Sequence, residues 1–328
     1  MPDAAELRKD PFTGRWVIVS PARAQRPQGT GPADLPAPPG PCPFCPGREE
    51  LTPPEIAATR DGGGAWRVRV VPNKFPVLAV ESPLARHAVG PYDAVSGVGA
   101  HEVIVETPSH DRQLGDLGAA AIADVLAIWQ ARLVDLARDP RLRCAIVFKN
   151  HGGRAGATLA HAHSQLIALP VLPPAVATEL ELAAAHHART ERCVYCDTIT
   201  HELAAKERVV AATEHAIVLA PWASRAPFEL MILPRQHAAS FTTIDATVRT
   251  AIAEALALAL ARLDAALERP AYHLILHTAP LREEPASYHW HLELSPVLAR
   301  VAGFELGSGA AINPTPPEEA ARFLRTLS

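Results

Sequence analysis

Short apolar runs, several of which alternate with polar residues, predict β-strands in both halves of this 328-residue chain. Alternation with a period of two turns one set of side chains toward a core and the other set outward. Pro- and Gly-rich segments separate the runs, as is typical of turns and loops. The predicted strands cover residues 15–19, 66–71, 102–106, 145–148, 216–219, 228–233, 272–277 and 289–294.

Two longer segments carry apolar residues at helical spacing, one in each half. The first covers residues 117–137, with Asp116 as a candidate N-cap, and the second runs from about 247 to 267. Strands precede and follow each long helix, which predicts an α+β fold with antiparallel sheets. We expect two domains, residues 1–175 and 176–328, whose sheets join edge to edge.

The segment that begins at His161 reads His-Ala-His-Ser-Gln and then becomes apolar as far as Pro170. In a strand, His161, His163 and Gln165 would leave the same face, which suits phosphate chemistry. One histidine could act as a nucleophile while the other binds a metal ion. For this motif taken alone, a half-buried strand with incidental histidines is the alternative.

A Gly-rich stretch leads into this strand. Asn150, Gly152, Gly153 and Gly156 would bring the backbone close to a phosphate group, because glycine has no side chain to prevent the approach. An ordinary turn is the alternative.

The chain carries one series of motifs twice: a Cys-x-x-Cys pair, a histidine that closely follows a proline, and a His-x-His segment. The spacing from the single histidine to the His-x-His segment is 51 residues in one copy and 52 in the other. A period this long indicates duplication of a whole domain. Each copy offers two thiolates and two imidazoles, the usual ligands of tetrahedral Zn²⁺. The predicted ligands are Cys42, Cys45, His110 and His161 in the first site, and Cys193, Cys196, His237 and His289 in the second.

Disulfides and redox centres are the other interpretations of the Cys-x-x-Cys pairs. No N-terminal apolar targeting segment is visible, and the fifth cysteine, Cys144, lies in an apolar run. These features favour metal binding in a reducing cytoplasm. A redox centre fits less well, because Cys42 follows a Pro- and Gly-rich loop and no βαβ pattern surrounds it.

The composition excludes several classes of partner. A formal net charge of −4 gives no reason to expect nucleic acid or an anionic membrane surface as a partner. The longest apolar helical candidate, residues 251–267, contains Glu254, Arg262 and Asp264, so we expect no membrane span.

Several motifs together resemble the galactose-1-phosphate uridylyltransferase family, the nucleotidyltransferase branch of the histidine-triad superfamily. They are Ser-Pro-Ala-Arg-Ala-Gln-Arg-Pro at 20–27, the first Cys-x-x-Cys, Val-Pro-Asn-Lys-Phe-Pro at 71–76, Pro-Ser-His at 108–110, Phe-Lys-Asn at 148–150 and the His-x-His-x-Gln segment. The resemblance runs nearly end to end. It implies two histidine-triad-like domains, of which the second is a degenerate copy.

The resemblance also implies roles for individual residues. His163 would attack the α-phosphorus of a nucleotide sugar, and Gln165 would donate its amide N–H to a phosphoryl oxygen. Asn73 and Phe75 match the stretch that holds the nucleobase, and Ser164 lies within the active-site motif. Arg23 and Arg26 resemble phosphate-binding arginines that come from the neighbouring subunit, so we expect a homodimer. His161 would bind a structural zinc ion, one of about two per chain.

The substrate remains open at this stage, because the chain departs from the uridylyltransferase pattern. That branch typically carries His-Pro-His-Gly-Gln, whereas residues 161–165 here are His-Ala-His-Ser-Gln. The second Cys-x-x-Cys and residues 302–309 resemble the ADP-glucose phosphorylases. The family's central activity makes transfer of UMP between a UDP-hexose and a hexose-1-phosphate the default expectation, with UDP-glucose and galactose-1-phosphate as the pair. An ADP-glucose phosphorylase reaction, with ADP-glucose as donor and phosphate as acceptor, is the first alternative. A histidine-triad hydrolase and a non-catalytic zinc scaffold are the further alternatives.

Overall fold

The computed structural model describes residues 5–25 and 40–327. The strands are β1 (Glu6–Lys9), β2 (Trp16–Val19), β3 (Ala57–Arg60), β4 (Trp66–Pro72), β5 (Arg86–Val89), β6 (Tyr92–Val95), β7 (Ala100–Val105), β8 (Cys144–His151), β9 (His163–Leu169), β10 (Val209–Ala212), β11 (Ala216–Leu219), β12 (Leu230–Pro234), β13 (Tyr272–His277), β14 (His291–Pro296) and β15 (Ala311–Asn313). The helices are α1 (Ala119–Leu136), α2 (Pro174–Thr190), α3 (Val194–Ala205), α4 (Ala246–Leu267), α5 (Gly303–Ser308) and α6 (Pro317–Thr326).

Ten strands form one continuous sheet in the order β10-β11-β12-β14-β13-β8-β9-β7-β4-β3. Every neighbouring pair in it is antiparallel. The two halves meet where β8 pairs with β13, so that Phe148 lies opposite Ile275. The α+β fold, the antiparallel sheets and the edge-to-edge junction are therefore confirmed. The boundary we expected between residues 175 and 176 falls in the first turn of α2, and the division into domains stays a prediction.

The long helices α1 and α4 pack side by side on one face of this sheet. Their apolar sides bury Leu126, Trp129, Leu256 and Leu260 against the strands of both halves. Burial of this kind stabilises a fold by roughly 25 cal/mol for each Å² of apolar surface removed from water. The other face of the sheet is therefore free to carry the polar motifs.

The N-terminal boundary of α1 differs from the prediction. Asp116 is not its N-cap, because α1 begins at Ala119 after Gly118. The Asp116 carboxylate instead accepts hydrogen bonds from the backbone N–H of Gln113 and from Arg269. The longer helix α4 does have an aspartate cap, since Asp245 accepts from the backbone N–H of Val248 at 2.8 Å.

Both His-x-His strands begin two residues later than predicted. Strand β9 starts at His163 and β14 at His291, so His161 and His289 lie just outside the strands. Strand β12 also starts late, at Leu230, because Phe228 has a φ of 61°, which no strand residue adopts. No helix in the described ranges combines the length and apolarity that a bilayer crossing requires.

Candidate active site

His163 opens strand β9 on the face of the sheet opposite α1 and α4. Its Nδ1–H donates to the backbone carbonyl of His161 at 2.8 Å. That hydrogen bond fixes the tautomer and leaves the lone pair of Nε2 available. Burial and the nearby Lys149 ammonium lower the pKa of His163 to about 4. The imidazole is therefore neutral near pH 7, the form in which it can act as a nucleophile.

A buried ion pair supports the backbone of this histidine. The Lys149 ammonium lies 2.7 Å from the Glu106 carboxylate and donates to the His163 carbonyl at 3.1 Å. Both side chains are almost completely buried. Phe44, from the first Cys-x-x-Cys segment, packs against His163, with the centroids of the two rings 5.4 Å apart. Contacts to both its backbone and its ring therefore hold His163 in place.

Gln165 lies on the same face as His163, as strand alternation predicts. Its Oε1 is 2.9 Å from Nε2 of His101 and 3.4 Å from Nδ2 of Asn73. The structure therefore brings Asn73 to Gln165. Phe75 is 82% exposed, and its backbone N–H donates to Oδ1 of Asn73 at 2.9 Å.

The last residues of β8 and the loop that follows it reach the same end of the sheet. The Asn150 amide oxygen accepts from His273 Nδ1, on β13, at 3.0 Å. Gly152 and Gly156 have φ values of 81° and 85°, a conformation that favours glycine, and Gly153 begins a single 3-10 turn between them. A second-half residue, His273, thus touches the first-half site.

Ser164, one of the predicted substrate-binding residues, does not lie on the His163 face of the sheet. Ser164 faces the helices, where its hydroxyl accepts from Trp129 Nε1 at 3.0 Å and is buried. Its side chain cannot reach a ligand on the His163 face, because neighbouring strand residues point to opposite faces. Arg23 is exposed in a short 3-10 helix, Pro21–Gln25. Arg26 lies outside the described residues.

Cys42, Cys45, His110 and His161 converge beside His163, with their ligand atoms all within 4.8 Å of one another. Cys45 Sγ lies 3.4 Å from His110 Nδ1 and 3.7 Å from His161 Nδ1. Tetrahedral Zn²⁺ with ordinary Zn–S and Zn–N bonds would separate such atoms by about 3.5 Å. His161 Nε2–H donates to the Thr107 carbonyl at 2.7 Å, which leaves Nδ1 free for the metal. The residues fit a closed metal site.

The second half repeats this geometry with Cys193, Cys196, His237 and His289, again within 4.8 Å of one another. Cys196 Sγ lies 3.4 Å from His237 Nδ1 and 3.5 Å from His289 Nδ1. His289 Nε2–H donates to the Pro234 carbonyl at 3.0 Å, as His161 does to Thr107. The structure therefore places both predicted ligand sets in positions that can bind a metal.

The second His-x-His segment does not form a second accessible site. His291, the counterpart of His163, is 1% exposed beneath the ring of Tyr195 and stacks on His277 at 4.7 Å. His277 lies between two carboxylates, 3.1 Å from Glu179 and 3.4 Å from Glu293. These side chains enclose His291, and the interpretation of the second half as a degenerate copy stays a prediction.

Sequence reasoning missed this buried cluster of Glu179, His277, His291 and Glu293. Burial alone would lower the pKa of His277, but the carboxylates of Glu293 and Glu179 raise it to about 10. The protonated ring thus balances part of the negative charge beneath the second metal-ligating cluster. Glu179 lies on α2 and His277 on β13, so no local motif could have connected them.

The whole chain resembles proteins of known activity. The family model described as the N-terminal domain of galactose-1-phosphate uridyl transferase matches residues 2–173, and the C-terminal domain model matches residues 179–328. An ADP-glucose phosphorylase of Arabidopsis thaliana is 37% identical over 98% of this chain and 93% of its own length. A galactose-1-phosphate uridylyltransferase of Thermotoga maritima is 30% identical over 98% of each chain.

Solved structures show the same likeness in three dimensions. An Arabidopsis thaliana ADP-glucose phosphorylase with bound ADP-glucose superposes with a TM-score of 0.86 and 34% identity, covering 99% of both chains. A uridylyltransferase structure gives a TM-score of 0.79 at 30% identity, covering 98% of this chain and 97% of the other. This chain is a nucleotidyltransferase and belongs to the galactose-1-phosphate uridylyltransferase family.

Proposed function

We propose that the enzyme moves a nucleotidyl group between a nucleotide sugar and a phosphate acceptor through a covalent adduct on His163. The observation that carries the proposal is the Nδ1–H of His163 held by the His161 carbonyl, with Nε2 left free. Nε2 attacks the α-phosphorus, an N–P bond forms, and the P–O bond to the sugar phosphate breaks. An acceptor phosphate oxygen then attacks the same phosphorus and releases His163, which gives ping-pong kinetics.

The neighbouring residues would bind and orient the donor. Gln165 donates an amide N–H to a phosphoryl oxygen but has no proton to give a leaving group, which suits transfer better than hydrolysis. Asn150, Gly152, Gly153 and Gly156 approach the phosphates, while Asn73 and Phe75 hold the base. In a homodimer, Arg23 and Arg26 of one subunit would bind phosphate in the site of the other.

We assign one structural Zn²⁺ to each Cys₂His₂ cluster, about two per chain. When bound, the first ion would fix His161 and thereby the start of β9, with no open position for water. Because the ligands must be thiolates, a reducing compartment such as the cytoplasm suits the protein.

Two donor and acceptor pairs fit this chemistry. In the first, UMP passes between a UDP-hexose and a hexose-1-phosphate, the galactose-1-phosphate uridylyltransferase reaction, in galactose metabolism. In the second, ADP-glucose reacts with phosphate. The second is favoured by the higher identity to the ADP-glucose phosphorylase, 37% against 30% for the Thermotoga maritima uridylyltransferase.

Steady-state kinetics distinguish the two pairs. We would compare kcat/KM for UDP-glucose and ADP-glucose, each with galactose-1-phosphate and with phosphate as acceptor. A site that hydrogen-bonds one base should discriminate by more than about tenfold, or about 1.4 kcal/mol, because buried polar groups are left unpaired by the other base. The direction of that preference selects the pair. Consumption of either donor at the same rate without acceptor would instead indicate a hydrolase.

A further inference from the structure

His101 lies beside the proposed nucleophile on the neighbouring strand β7. In the antiparallel pairing of β7 with β9, His101 is opposite Ile167, Val103 opposite Gln165, and Val105 opposite His163. Paired residues share a face, so His101 is on the His163 face of the sheet. It is partly buried, and no sequence motif singles it out.

The hydrogen bonds of His101 define its tautomer. The backbone N–H of Val77 can only donate, so the Nδ1 atom that it meets at 3.3 Å must be the acceptor. Nε2 then carries the proton and donates to Gln165 Oε1 at 2.9 Å. In the opposite tautomer, Nδ1–H would face the N–H of Val77, and the lone pair of Nε2 would face Oε1 of Gln165, so both contacts would be repulsive. The only hydrogen bond gained would be from Asn73 Nδ2 to Nε2, at 3.1 Å.

This arrangement fixes which end of the Gln165 amide is available to a ligand. Its oxygen is engaged by His101 and Asn73, and its nitrogen donates to no other residue within the described parts of the chain. A flipped amide would present a carbonyl oxygen to an anionic phosphoryl group, which is repulsive. His273 engages the oxygen of Asn150 in the same way.

We propose that His101 is a positioning residue that holds the Gln165 amide with its N–H groups toward the phosphoryl group transferred to His163. This inference rests on the proposed function and adds one residue to its machinery. His101 need not touch the substrate, because it acts through the orientation of Gln165. A hydrogen-bond donor aimed at the charge of a transition state is worth about 10²- to 10³-fold in rate, so a misoriented Gln165 amide should cost part of that rate.

A double-mutant cycle tests the inference. The rate of adduct formation on His163 would be measured in a single turnover for wild type, His101→Phe, Gln165→Ala and the double variant. We expect His101→Phe to slow the reaction by about tenfold or more, and to have no further effect when Gln165 is already alanine. If the rate of the double variant were reduced by the product of the two single-variant factors, the two residues would act independently and the inference would be overturned.

Two smaller substitutions keep the test valid if His101→Phe fails to fold. Gln places an amide nitrogen where the imidazole has Nε2, whereas Asn places one near Nδ1. We therefore expect His101→Gln to keep most of the wild-type rate and His101→Asn to lose it, at equal metal content. Equal rates for these two variants would contradict a role through Gln165. A wild-type enzyme that forms no adduct would reject the proposed function instead.

Discussion

His163 and His161 show how one motif divides two tasks between identical side chains. His163 donates from Nδ1 to the His161 carbonyl and leaves Nε2 without a hydrogen-bond partner among the described residues, whereas His161 donates from Nε2 to the Thr107 carbonyl and turns Nδ1 toward the thiols. The difference lies in which ring nitrogen meets a carbonyl. Both assignments follow from the fact that a carbonyl can only accept.

The first prediction concerns the cysteines. Cys45→Ser and Cys196→Ser should each lower the metal content from about two zinc ions per chain to about one, because each removes one ligand of a different tetrahedral site. Elemental analysis of purified protein measures this number. Cys144→Ala is the matched control, since burial raises the pKa of the Cys144 thiol to about 12 and no ligand set includes it.

If both serine variants retained two metal ions, or if Cys144→Ala lost one, the assignment of the clusters would be wrong. Chelation of wild-type protein should also lower its stability, because metal binding is coupled to folding.

The side chains that the structure brings together as the sequence predicts are those with a local pattern. His163 and Gln165 share one strand face, and the eight cysteine and histidine positions predicted to bind metal form two compact clusters. His101 and His273 were missed because each reaches the site from a separate strand, through pairing that no local pattern reveals. Ser164 was included although strand alternation itself places it opposite His163.

At the scale of elements, the long helices and central strands were predictable from periodicity. Helix α2 was missed, because two consecutive prolines, at 173 and 174, are typical of a loop. Proline is also favoured in the first turn of a helix, and Pro174 is the first residue of α2. The hairpin of β5 and β6 was missed because its residues are largely exposed and show little apolar alternation.

The second prediction concerns the buried cluster that joins α2, β13 and β14. The pKa of His277 is raised from 6.5 to about 10, so its stabilising contribution is complete below about pH 6.5 and is lost as the pH rises toward 10. The free energy of unfolding should fall over this range, with a slope of up to about 1.4 kcal/mol per pH unit from this group. Urea unfolding of metal-loaded protein at several pH values measures it.

His277→Gln is the informative variant, because it leaves Glu179 and Glu293 buried without the balancing charge. We expect a loss of about 3 kcal/mol near pH 6.5 and a flatter dependence on pH above it. The expected loss of about 3 kcal/mol is at the lower end of the range for a broken buried ion pair, because Arg225 still balances the charge of Glu293. A variant with the same slope as wild type would show that His277 is not protonated in the folded state.

At the scale of the whole molecule, each half carries one cluster of two cysteines and two histidines, but the surroundings of His163 differ from those of its counterpart His291. Strand β8 pairs with β13 across the junction, which allows His273 of the second half to reach Asn150 of the first. The second half therefore contributes a contact to the candidate site of the first half through the shared sheet. This dependence could not be derived from the motifs, because it arises only when the ten strands are ordered.

The third prediction tests whether two subunits share a site. Chains with Arg23→Ala and Arg26→Ala would be combined with His163→Asn chains, and heterodimers would be isolated by two affinity tags. Neither parent should be active, but the heterodimer should recover one intact site in two, about half the wild-type rate per dimer. Absence of complementation in verified heterodimers would mean that the arginines act within their own chain or not at all.

Whether a nucleotidyl group becomes covalently bound to His163 can be measured directly. Metal-loaded protein would be incubated with UDP-glucose and, separately, with ADP-glucose, quenched without acid, and examined by intact mass spectrometry. We predict a gain of one UMP or one AMP per chain, which maps to His163 and is absent from His163→Asn. If the chain gained no mass with either donor, or if the adduct still formed in His163→Asn, His163 would not be the residue that carries the nucleotidyl group.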